Sequence, residues 1–284
     1  MKSIWALCCG ASPDSSMVCV GGLENNCLVY RRECLSDSED QSSIITQREI
    51  VSEFYLHREL KAHSAYISGC KFFHSNSQIV TASGDKSCRL WDVEGQKEIR
   101  TWEACHSRDI SCLSLSVESK QIFLTGSFDG NCKLFDPRVG NNEAISTFVT
   151  SFPGAEVNCT SFTQEGNHFA AGYSDGKARI FDLRTATDNQ ESFCALGEAD
   201  IYQDIGAVAF SSSGRLLFAA GEGSEITVYD TFDTAQDGAN MNPIQRLEGH
   251  SNRISCMELS PNGFGLLTGS WDHELRLWTA VNEY

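Results

Sequence analysis

Three groups of side chains repeat a histidine, a serine and an aspartate in one order: His63/Ser83/Asp85, His106/Ser127/Asp129 and His250/Ser270/Asp272. Those residue types activate a serine hydroxyl for acyl transfer, the histidine acting as general base and the aspartate holding its tautomer. The spacing argues for another use. A catalyst needs one triad, whereas here a set recurs, and each time an aromatic residue (Trp91, Phe135 or Trp278) follows the aspartate at the same distance. With Trp91 and Trp278 included, the sets read as a buried hydrogen-bond chain: aspartate in a turn to histidine, histidine to the serine hydroxyl, serine to the indole N–H. Phe135 and Phe181 cannot donate as an indole does, so the networks of the third and fourth repeat units, which end on them, are expected to be shorter.

Two further patterns resemble chemistry. Gly172-Tyr173-Ser174-Asp175-Gly176 matches a nucleophile elbow, but that motif works between a strand and a helix, and here a strand pattern follows, so a turn is expected. Asn158-Cys159-Thr160 is formally a glycosylation sequon lying in an expected strand. Neither a phosphate-cradling glycine loop nor a metal-spaced His/Cys cluster is present, so no catalytic residue, metal or cofactor is assigned.

The elements that must position these residues are clearest in residues 246–278, where Gly249-His250 precedes an apolar run Ile254–Leu259, a turn at Pro261-Asn262-Gly263, a run Leu266–Thr268, a turn carrying Asp272, and Leu275–Trp278. That is a β-meander. Its terminal aromatic recurs as Tyr30, Trp91, Phe135, Phe181, Tyr229 and Trp278, and after a longer first interval the spacing sits at or just above the roughly 40–45 residues of a four-stranded propeller blade of the WD type. Leu90-Trp91-Asp92 and Gly249-His250 carry that family's signatures, with Phe135-Asp136, Phe181-Asp182 and Tyr229-Asp230 as weakened forms. The expected fold is an all-β WD-repeat propeller with six recognisable repeats, one domain over residues 1–284. Pro153 stands where the fourth unit would have its histidine, and Gly223 where the fifth would have its aspartate. Residues 31–52, with Ser36-Asp37-Ser38-Glu39-Asp40, are too polar to offset their ordering entropy and read as an acidic loop; Asp233–Asn242 reads as another.

Composition narrows the function. There are 22 Lys+Arg against 38 Asp+Glu, a net charge of −16, which is the wrong sign for holding phosphate backbones or anionic lipid. Of the 13 cysteines, Cys27, Cys88 and Cys132 lie three before a terminal aromatic, and Cys112 and Cys256 lie six after a histidine. Such recurrence describes small buried side chains rather than disulfides, and with no C-x-x-C pair a reducing compartment is expected. The start, Ile4–Ala11, imitates a short signal peptide but also reads as a first strand entering Ser12-Pro13-Asp14, the reading adopted. No run approaches the ~18 apolar residues of a membrane helix, so direct insertion is not expected.

Beyond the generic repeat, the chain resembles the β subunits of heterotrimeric G proteins. The resemblance is carried by Ser3-Ile4-Trp5, Gly21-Gly22-Leu23-Glu24-Asn25, Arg58-Glu59-Leu60, Ser83-Gly84-Asp85, Ser213-Gly214-Arg215 and the strings from Gly249 to Cys256 and Thr268 to Asp272. It implies that one propeller rim forms a shared surface for a GDP-bound α subunit and, when α leaves, for effectors. Positions matching the family's contact residues are Trp5, Leu23, Asn25, Tyr66, Asp109, Asn158 and Trp271. Ser111 and Phe128 replace a methionine and a cysteine of that surface, and Glu156 and Ser174 stand where aspartate is usual.

The resemblance also implies seven blades. This chain starts where the family's second blade starts, so the helix that pairs with a γ subunit falls outside it, and six units remain. The ring then closes with six, another chain fills the gap, or the sequence is part of a longer one. The implied role is signalling below a G protein-coupled receptor, in the cytoplasm and peripherally at the inner face of the plasma membrane through lipidated partners. The alternative is a general WD-repeat scaffold for kinase, ubiquitin-ligase or trafficking complexes.

Overall fold

Turn residues reverse the chain every few residues, so each apolar run finds its partner in the next one and the repeats close locally into antiparallel sheets. A computed structural model describes residues 5–34, 52–73, 75–116, 121–150, 152–185, 195–201, 203–232 and 240–279. The first sheet holds β1 (Ala6–Ala11), β2 (Met17–Gly22), β3 (Asn26–Cys34) and β4 (Ser52–Lys61) in that order. The second holds β5 (Ile67–Phe72), β6 (Gln78–Ser83), β7 (Cys88–Asp92) and β8 (Lys97–Trp102), and the third β9 (Ile110–Leu115), β10 (Phe123–Ser127), β11 (Asn131–Phe135) and β12 (Ser146–Val149). The fourth contains β13 (Val157–Phe162), β14 (His168–Tyr173), β15 (Lys177–Asp182) and β16 (Ala195–Asp200), and the fifth β17 (Ala207–Phe210), β18 (Leu216–Ala220), β19 (Glu225–Asp230) and, after β20 (Asn240–Met241), β21 (Pro243–Glu248). The sixth has β22 (Ile254–Leu259), β23 (Gly265–Ser270) and β24 (Leu275–Thr279).

These six sheets are the blades of a propeller. Their first strands β1, β5, β9, β13, β17 and β22 pack side by side in chain order. Lys71, Leu113, Thr160, Val208 and Met257, one from each of the last five, line a central cleft.

The core lies between blades. On one face a blade presents small and aliphatic residues, such as Val80, Ala82, Cys88 and Leu90 in the second, and the next blade covers them with ring residues, here Phe123 and Phe135. Cys19, Cys27 and Val29 meet Ile79 and Trp91 in the same way; Leu124, Cys132 and Leu134 meet Phe169 and Phe181; Ala170, Ala178 and Ile180 meet Leu217 and Tyr229. Phe123 stacks on Phe135 with centroids 5.1 Å apart, and Phe169 on Phe181 at 4.9 Å. The register explains the repetition, since each ring pair is a directly opposed cross-strand pair. The series stops at the sixth blade, whose corresponding Leu267, Leu275 and Leu277 are 45%, 75% and 64% exposed.

Three expectations change. The strand β3 runs on through Cys34 and pairs with Ser52–Tyr55, so residues 31–34 and 52 are ladder and not loop; Ser36, Ser38 and the rest of the acidic segment lie outside the described residues. Asn240 and Met241 pair parallel to Glu198 and Ala199, because the buried Met241 side chain packs under the fourth blade. Cys27, Cys88 and Cys132 are buried as expected, but Cys256 is exposed, since it faces Gly269 on the uncovered side of the sixth blade.

Candidate functional site

The turn between the second and third strands of a blade is where the repeated polar residues act. In the second blade Asp85 accepts from the Ser64 and Ser87 amides and lies 2.8 Å from His63 Nδ1. Nε2 of His63 is 2.7 Å from Thr81 Oγ1, which also accepts the Trp91 indole N–H at 2.9 Å. A carboxylate can only accept, so His63 Nδ1 carries the proton; bare Nε2 then accepts from the Thr81 hydroxyl. The relay thus runs Trp91, Thr81, His63, Asp85. His250, Thr268, Asp272 and Trp278 reproduce it. His106, Thr125 and Asp129 form a version without the indole, as Phe135 requires.

The middle member is therefore a threonine, which corrects the expected serine. Trp91 stands opposite Ile79 in the ladder, four residues from Ser83. At about 3.3 Å per residue that is about 13 Å, beyond any side-chain bond; Thr81 lies midway. The serines do something else. Ser83 Oγ donates to the Tyr66 carbonyl at 2.8 Å and accepts from the Asp85 amide at 3.1 Å. Ser127 donates to the Asp109 carbonyl and Ser270 to that of Asn252. Each serine pins the start of a first strand to the turn, and none of the three bonds to a histidine, so these serines are not members of the relay.

Burial opposes the charge on Asp85 and Asp129, but the bonds from His63 and His106 and from local amides outweigh it and hold both carboxyls well below the usual range. Burial likewise pushes His106 below an ordinary imidazole, against the pull of Asp129. In the fourth blade, which lacks the histidine, Asp175 pairs instead with Arg179: the buried guanidinium reaches both Asp175 oxygens and Glu198, and lies 4.6 Å from the Tyr173 ring centroid. Sequence reading missed Arg179, although a basic residue four positions after a turn aspartate without its histidine is a usable signal. Ser174 sits in the hairpin between β14 and β15, accepting the Glu156 amide, so the elbow pattern is a turn.

One amide-to-carbonyl bond recurs across this end of the disc: Leu23 to Trp5, Gly84 to Tyr66, Phe128 to Asp109, Ser174 to Glu156 and Trp271 to Arg253. It places those ten residues on one rim, because the start of a first strand and the end of its antiparallel neighbour are the same end of a blade. Asn25 follows in the β2–β3 turn, and Asn158 is the second residue of β13. All seven expected contact residues therefore share a rim. Trp5 and Trp271 are 73% and 62% exposed.

The polar members are linked from blade to blade. Tyr66 Oη donates to Asp109 Oδ2 at 3.1 Å, and burial together with that bond pushes the Tyr66 hydroxyl up to about 12. Asn158 donates to Asp204 and to the Ile205 carbonyl, and Arg108 pairs with Glu156 at 2.6 Å. Burial raises Asp204 despite its Asn158 bond. The Arg253 guanidinium lies 5.4 Å over the Trp271 ring, and that of Arg108 lies 6.0 Å from Phe128. Leu7, exposed one residue inside β1, extends the apolar part of this rim. Exposed aromatic and aliphatic anchors held among fixed polar groups form a surface suited to protein binding. Among the described residues no group of His, Cys, Asp and Glu could hold a metal ion.

A protein-family model described as WD domain, G-beta repeat matches residues 54–92, 96–136, 146–182 and 241–279. The unmatched units are the first and the fifth, the latter being the one whose turn aspartate is replaced by Gly223. The chain is 32% identical over 281 residues to the guanine nucleotide-binding protein subunit beta of Nicotiana tabacum, covering 96% of this chain and 69% of the relative. The same coverage holds for the subunits of Solanum tuberosum, at 33%, and Arabidopsis thaliana, at 32%. The repeats, the propeller and these relatives together make the chain a member of the WD-repeat family of guanine nucleotide-binding protein β subunits.

Proposed function

We propose that the chain is a non-enzymatic signalling subunit whose Trp5/Leu23/Trp271 rim binds the α subunit of a heterotrimeric G protein in its GDP state, and effectors once α departs, below a G protein-coupled receptor. The observation that carries this reading is the pair of exposed indoles on one rim, set beside Leu23 and held by backbone hydrogen bonds that leave both rings mostly exposed. Its acidic charge disfavours direct attachment to anionic lipid. In this reading the protein works in the cytoplasm, at the inner face of the plasma membrane, through lipidated partners such as a γ subunit. Capture of a purified α subunit loaded with GDP, compared with the same subunit loaded with a non-hydrolysable GTP analogue, tests it. Preferential capture of the GDP form is expected; equal capture, or none in either state, overturns it.

A further inference from the structure

The repeats place a small residue before the relay histidine: Ala62 before His63 and Gly249 before His250. The third repeat has Cys105 there, before His106. Its sulfur lies 4.0 Å from that of Cys88, the first residue of β7 and a member of the recurring Cys27, Cys88, Cys132 series. The two thiols differ in access. Cys88 is fully buried between the second and third blades, while Cys105 is half-buried in the connection from β8 to β9.

The connection is held in place. The Cys105 amide donates to the Lys86 carbonyl at 3.0 Å, its thiol donates to the same oxygen, and Lys133 Nζ donates to the Cys105 carbonyl at 2.7 Å. The preceding Ala104 has φ 47°, a left-handed backbone uncommon for a residue with a Cβ. A solvent-borne oxidant therefore meets Cys105 first, and Cys88 stands where it can resolve the product. The contact with Cys88, with the Lys133 ammonium nearby, holds Cys105 below the ordinary thiol range despite burial. Burial and the neighbouring Cys105 push Cys88 up. Thiolate is the species that attacks peroxides.

We propose that Cys105 and Cys88 form a peroxide-reactive dithiol site, with Cys105 attacking and Cys88 resolving. The Cys105 thiolate attacks one oxygen of hydrogen peroxide, the O–O bond breaks, and the departing hydroxide takes a proton from solvent to become water, leaving a sulfenic acid. The Cys88 sulfur then attacks the sulfenic sulfur: the S–S bond forms, the S–O bond breaks, and hydroxide leaves with the Cys88 proton as a second water. Two thiols lose two electrons and one peroxide gains them. The product ties β7 to the segment leading into the relay of the third blade.

Other thiols serve as internal controls. Cys8 and Cys70 lie closer, at 3.5 Å, but contacts among thiols and burial raise both, which keeps them protonated. Among the described residues, Cys9 and Cys256 are the exposed competitors.

The test treats the folded chain with limiting hydrogen peroxide, alkylates remaining thiols in denaturant without reductant, and maps tryptic peptides. Residues 87–89 joined to residues 101–108 should accumulate before any change at Cys9, Cys256 or the Cys8–Cys70 pair. Cys105→Ser should abolish the cross-link, and Cys88→Ala should leave a Cys105 sulfenic acid that dimedone captures. Earlier oxidation at any of those other cysteines overturns the proposal, as does a dimedone adduct at wild-type Cys105 with no cross-link.

Discussion

Trp91 donates its indole N–H to the hydroxyl of Thr81 across 2.9 Å, and that contact fixes the direction of the whole relay. With the Thr81 oxygen accepting from the indole, its own proton is free for His63, and His63 keeps its Nδ1 proton for Asp85.

Thr81→Val should destabilise the fold, since it leaves the buried Trp91 N–H and His63 Nε2 unpaired, at about 1–3 kcal/mol for each such group. Thr81→Ser keeps the hydroxyl and should lose much less. In a ¹H–¹⁵N spectrum the Trp91 indole resonance should move strongly with Thr81→Val and little with Ser83→Ala. The reverse pattern would restore serine to the relay.

Stability should fall on acidification, in two stages. His106 has a folded pKa below its unfolded one, so between that folded value and about 6.5 the unfolded chain binds more protons and the native state loses ground as pH drops. Asp85 and Asp129 are lowered too; their contribution is full above about 3.9 and is lost as pH falls through their folded values. Urea midpoints measured from pH 7 to pH 3 should therefore start declining near neutrality and steepen in acid. A midpoint unchanged between pH 7 and pH 5 would contradict the His106 assignment.

Arg179→Met should be among the most damaging single changes in the fourth blade. The side chain is buried and holds Asp175 and Glu198, and breaking such a buried network typically costs about 3–5 kcal/mol. The same change at Arg215, whose side chain is mostly exposed, should shift the thermal midpoint little.

Leu90 and Leu277 hold the same place in the second and sixth blades, one covered by the next blade and one 64% exposed. Leu90→Lys should prevent folding or nearly so, whereas Leu277→Lys should stay within about 0.5 kcal/mol of the parent by chemical denaturation. A large loss at Leu277 would mean that this flank is covered in solution.

Much of this was legible in the residues. Alternation and turn chemistry located the first three strands of every blade, and the terminal aromatics gave the repeat. The serine in the relay was misread because spacing to the aspartate is the same in every copy, whereas the bond is decided by reach along the ladder. Thr81, Thr125 and Thr268 recur just as regularly, so the signal was present and lacked only a distance. Arg179 escaped because its second partner, Glu198, stands on the neighbouring strand β16, and only the fold brings that carboxylate to it. The exposed flank of the sixth blade depends on what stands beside it, which Leu267, Leu275 and Leu277 do not encode. The rim was legible only as a resemblance, and its inter-blade bonds, such as Tyr66 to Asp109, needed the fold.

The direct test of the rim is a binding titration of GDP-loaded α subunit against the parent chain and against Trp271→Ala, with thermal midpoints recorded on the same samples. Trp271 is mostly exposed, so truncation should leave the midpoint nearly unchanged while weakening binding by at least ~2 kcal/mol, as expected of an aromatic anchor. Unchanged affinity, or a loss of affinity that merely follows a fall in the midpoint, would contradict the account.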